Sequence, residues 1–98
     1  MTHRQRLLAR HALGLPNRAN VSYRNRFIAG VGHSDYDDWS EMVANGEAFH
    51  REKDKMFWLS ETGAALAVIQ EHERLDPEDF PAWRPNKWHL RLLRSEPQ

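Results

Sequence analysis

The side chains best suited to chemistry in this chain are its six histidines, its fourteen carboxylates, and Ser34 and Ser60. A metal site needs ligands whose spacing returns them to one point. His33 stands two residues before Asp35, and His72 is flanked by Glu71 and Glu73. Side chains two apart at a helix boundary diverge, and neither His-x-x-x-His nor His-Glu-x-x-His occurs, so no metal ligand is expected. A serine nucleophile needs an adjacent base. Ser34 and Ser60 both precede helical patterns, where capping accounts for them, and there is no Gly-x-Ser-x-Gly elbow or glycine-rich phosphate loop. With no cysteine, thiol chemistry, disulfides and sulfur-ligated metals are excluded. These residues imply neither an enzyme nor a cofactor.

Charge is the next signal. The net charge is zero, yet residues 1–34 carry Arg4, Arg6, Arg10, Arg18, Arg24 and Arg26 with no acid, a balance of +6. Residues 35–98 set eight Lys and Arg against fourteen acids, a balance of −6. The two halves either neutralise each other inside the fold or present faces of opposite sign to partners. Arg18, Arg24 and Arg26, interleaved with Tyr23 and Phe27, are the best nucleic-acid candidates, because guanidinium groups pair with phosphates and aromatic rings stack on bases.

The elements that must position these groups fit one domain spanning residues 1–98. Thr2 caps a helix predicted to run to about Leu13, with an apolar stripe of Leu7, Leu8, Ala12 and Leu13; Gly14 supplies the exit. Residues 21–31 fit both a strand alternation and a helical stripe of Tyr23, Phe27 and Val31; a short helix or turn is the expectation. Ser34 opens a helix to about Asn45 that turns Tyr36, Trp39, Met42 and Val43 one way. "EAFHRE" and "KMFWLS" read as a β-hairpin over about 47–60, turning at Lys53 and Asp54. Ser60 caps a last helix whose packing face includes Leu66, Ile69 and Leu75. An extension over about 77–98, rich in Pro and Trp, is expected to pack across the domain. No run is long and apolar enough to span a bilayer and no secretory signal is read, so no membrane partner and a cytoplasmic location are expected.

The run "MVANGEAFHR", a short turn and "FWLSETGAALA" resembles the wing half of MarR-like winged-helix domains. Met42, Val43, Gly46, Ala48, Arg51, Leu59, Ser60 and Gly63 fall at the family's pattern positions, over about a third of the chain. The wider texture also looks like small phage- and prophage-encoded proteins. The resemblance implies an α+β fold, a small winged-helix-like domain of helices plus a β-hairpin wing, and a DNA-binding regulator as the default activity.

One departure weighs against that activity. The helix expected to enter the major groove opens with Asp35, Asp37 and Asp38, and Glu41 follows. These acids suit the positive end of their own helix, at about 0.3–1 kcal/mol each, but they repel phosphate. The expected function is therefore a non-enzymatic phage-type module that binds another protein, with homodimerisation as one form of it. Its expected contacts are Asp35, Asp37, Asp38, Trp39, Phe57 and Trp58. The alternative is a winged-helix DNA-binding regulator using Arg18, Arg24, Arg26 and Arg51.

Overall fold

The computed structural model describes residues 1–68 and 72–84. They form a small α+β domain in the order α1 (His3–Leu13), β1 (Phe27–Ile28), α2 (Tyr36–Ala44), β2 (Ala48–Arg51), β3 (Met56–Leu59) and α3 (Glu61–Ala67). The antiparallel sheet has the order β1-β3-β2, so the hairpin's return strand lies in the middle.

Local chemistry explains the ends of α1. The Thr2 hydroxyl accepts from the Gln5 N–H at 3.1 Å, and the Gln5 side-chain oxygen accepts from the Thr2 N–H at 3.0 Å, a reciprocal capping box. Gly14 leaves the helix at φ +82°, where an added Cβ would overlap the Tyr23 ring. The last carbonyls of α1 are taken up by the segment that follows. Ala12 and Leu13 accept from the backbone N–H groups of Arg26 and Tyr23, and His11 accepts from the Arg24 guanidinium. This pairing lays residues 23–26 against the helix end and leaves them outside any helix of their own. No helix forms over 21–31: residues 22–26 are irregular chain, Phe27 and Ile28 form β1, and a turn follows at 31–32. The apparent stripe of Tyr23, Phe27 and Val31 does not face the core as a unit, since Tyr23 and Val31 are exposed.

The buried face of α1 also departs from the expected stripe. Leu7 is exposed, while Gln5, Ala9, Arg10, Ala12 and Leu13 are buried. Arg10, expected on the surface, forms a two-pronged ion pair with Glu73, both contacts at 2.6 Å, and donates to the Ala67 carbonyl. Hydrogen bonding to Glu73 raises the Arg10 pKa above its ordinary value, against the opposing effect of burial.

The core of the sheet side is a column of rings. Trp39 from α2 lies between Phe27, at 5.2 Å, and Phe57, at 5.5 Å. The His50 ring stacks flat on Phe57 at 4.1 Å, and Tyr36 meets Phe57 edge-on. Such pairs contribute about 0.5–1.5 kcal/mol each beyond the area they bury.

The Gly46 exit at φ +75° turns α2 into β2. A 3-10 turn at Glu52–Asp54, closed by Lys55 in the left-handed region, joins the hairpin strands. Ser60 then caps α3 by accepting from the Gly63 N–H, as expected. The Ser60 hydroxyl also donates to the Gly46 carbonyl at 2.7 Å, tying the two ends of the hairpin together. Ser34 does not cap α2. The N-cap there is Asp35, whose own N–H donates to the His33 ring.

α3 ends at Ala67, well short of the length expected, with its final carbonyls bound by Arg6 and Arg10. Ala64 and Ala67 face the core, whereas Leu66 is exposed. Leu75 is buried beyond the helix, where Val21 and Arg74 form a parallel bridge and the Asp76 N–H donates to Ser22. Phe80 is buried and Trp83 packs against the core, so the extension is packed through that point. Ile69, Trp88 and the run "WHLRLL" lie outside the described residues.

Candidate functional site

Alternation along the strands gives the sheet two unlike faces. Ala48, His50, Phe57, Leu59 and Phe27 turn towards the helices. Ile28, Phe49, Arg51, Met56 and Trp58 turn away. Cross-strand register pairs Ile28 with Met56, Arg51 with Met56, and Phe49 with Trp58. Phe49 is 51% and Ile28 56% exposed, and the Phe49 and Trp58 rings lie 5.7 Å apart. The Arg51 guanidinium lies 6.0 Å over the Trp58 ring and is also held by Asp54 at 2.7 Å. Hydrogen bonding from Arg51 holds the exposed Asp54 carboxyl below its ordinary value.

The expected protein contacts divide accordingly. Trp39 and Phe57 are 0% exposed and belong to the ring column, which corrects their expected place at an interface. Trp58 is half-buried on the outward face. Asp35 and Asp38 do not form a free acidic edge, because the Arg4 guanidinium binds both, and Gln5 bridges Asp38 and Glu41. Among the described residues, only Asp37 of the three aspartates has no such partner. Phe49 and Ile28 were not anticipated. Phe49 becomes legible once the turn fixes the hairpin register, which places it opposite Trp58.

The arginines are sorted as well. Arg4 and Arg10 are paired with acids, and Arg51 with Asp54. Arg18 is exposed in the loop after α1. Arg24 and Arg26 meet in an open cleft of about 250 Å³, lined also by His11, Phe27 and Ile28. The Arg24 guanidinium is fixed there by the His11 carbonyl at 2.8 Å and lies 5.3 Å over the Tyr23 ring. Tyr23 is 62% exposed.

A second cleft, of about 290 Å³, brings Tyr36, His50, Glu52 and Lys55 around Gly30 and Val31. An added Cβ at Gly30 would stand 2.9 Å from the Lys55 side chain crossing it.

Among the described residues, no cluster of three His, Cys, Asp or Glu side chains has a metal-binding arrangement, and no helix is long and apolar enough to cross a membrane. No protein-family model matches the chain, and no curated protein or solved structure matches it significantly.

Proposed function

We propose that this chain is a non-enzymatic module of phage or prophage type that binds another protein through the outward face of its sheet. The observation that carries this reading is the exposed Phe49 ring packed on the half-buried Trp58, continued by Met56 and Ile28. A three-stranded sheet stabilised from its other side by a ring column has no internal need for large aromatics on its outer side. Trp and Arg dominate the energetics of many protein interfaces, and Arg51 over Trp58 supplies both in one contact. A second copy of the chain is one partner that fits such a face.

A winged-helix-like skeleton is the fold within which this reading sits. Its support is the strand order β1-β3-β2 together with α2, hairpin and α3 in sequence. The DNA-binding regulator remains the second reading, favoured by the cleft that joins Arg24 and Arg26. Against it, the front of α2 is occupied by Arg4 and Gln5 from α1, so the helix is not free to enter a groove.

Two measurements test the proposal. A photo-crosslinking residue placed at Phe49 should give one discrete adduct in the producing cell, and Trp58→Ala should abolish it. Sedimentation over a concentration series then separates self-association from a foreign partner. Diffuse labelling, unchanged by Trp58→Ala, would rule the outward face out as a binding surface.

A further inference from the structure

We infer that the cleft formed by His11, Arg24 and Arg26 is a phosphate site, and that its occupant is a single-stranded nucleic acid with bases against Tyr23. This goes beyond the protein-binding reading and uses neither Phe49 nor Trp58.

The first support is electrostatic. The arginine-rich N-terminal third is largely neutralised on α1, where Arg4 and Arg10 hold carboxylates. The cleft is different. Among the described residues, no carboxylate hydrogen-bonds or ion-pairs with His11, Arg24 or Arg26, although acids equal bases in the whole chain. Two arginines that line one cleft without a counter-charge favour an anion between them. Arg24 is also oriented in advance, since its Nε and one terminal nitrogen both donate to the His11 carbonyl. A planar guanidinium fixed along one edge keeps its remaining donors for a phosphate oxygen.

The second support is aromatic. Tyr23 rests against Gly14, which has no Cβ to push it away, and it remains 62% exposed with the Arg24 guanidinium 5.3 Å over its ring. Arginine next to an exposed ring is the arrangement on which unpaired bases stack. A duplex hides its base faces and demands an element that fits a groove. A single strand requires only a cationic notch and a platform. An isolated phosphate ion would leave Tyr23 without a role.

Fluorescence anisotropy with a labelled oligothymidine tests this, alongside a duplex of equal length and inorganic polyphosphate of matched charge. The expected result is preference for the single strand over both competitors, weakening with added salt. The Arg26 side chain is exposed and donates no described hydrogen bond, so Arg26→Glu should keep the backbone bond to Ala12 and the thermal transition. The variant should weaken binding roughly tenfold and flatten the salt dependence by about one phosphate contact. Tyr23→Ala should weaken it by a further factor on the order of five. Absence of binding at low salt overturns the inference. So does equal or tighter binding of duplex or polyphosphate, or an unchanged affinity for Arg26→Glu.

Discussion

Glu73 shows how far apart two halves of one interaction can lie in sequence. Its local pattern beside His72 implies no metal ligand, and in the fold it accepts two hydrogen bonds from Arg10 in a buried ion pair. Nothing local to either residue signals the other, because their meeting depends on how the chain returns past α1. Glu73→Ala should leave the Arg10 guanidinium buried and unpaired, lowering stability by about 3–5 kcal/mol in urea unfolding. Replacing both residues by apolar ones of similar size should restore much of that loss. The Arg51–Asp54 pair is local and exposed, so its signature is titration rather than stability. Asp54 is depressed below its ordinary 3.8, so the pair persists above that pH and is lost as pH falls through the lower folded value. Arg51→Ala should bring the Asp54 carboxyl back towards 3.8 when followed by carbon-detected NMR.

At the scale of elements, what the sequence reveals depends on how local the cause is. The caps at Thr2 and Ser60 and the exits at Gly14 and Gly46 are set by neighbouring residues, and all four are legible without the fold. The irregular run over 22–26 is not legible, because its hydrogen-bond partners are carbonyls of α1. That misreading also concealed Ile28 as part of the outward face. α3 is shorter than its alanines suggest, because arginines from α1 bind its last carbonyls. Ser60→Ala should cost about 1 kcal/mol of stability by removing the N-cap. Gly63→Ala offers a sharper test. An ordinary Gly→Ala change inside a helix gains up to about 1 kcal/mol, but a Cβ here overlaps the Glu47 carbonyl oxygen. The backbone approach should win, with a net loss of about 1–3 kcal/mol and a lower Tm.

For the molecule as a whole, the chain is closed by its return along residues 72–80. Leu75 and Phe80 complete the core, Glu73 neutralises Arg10, and Arg74 and Asp76 bond the segment beside Val21 and Ser22. A chain shortened after residue 70 should therefore lose its cooperative thermal transition by circular dichroism. The candidate site was partly legible at this scale. The arginine bias is visible in sequence, as is Trp58, but the ring column consumed the other two expected aromatic contacts, Trp39 and Phe57. The α1 carbonyls that bind Tyr23 and Arg26 also have a consequence for growth of the sheet. The chain entering β1 gives its Tyr23 and Arg26 N–H groups to Leu13 and Ala12, so among the described residues those donors are closed to a foreign strand. A strand added along that approach would first have to displace the bonds to α1, which opposes growth of the sheet there.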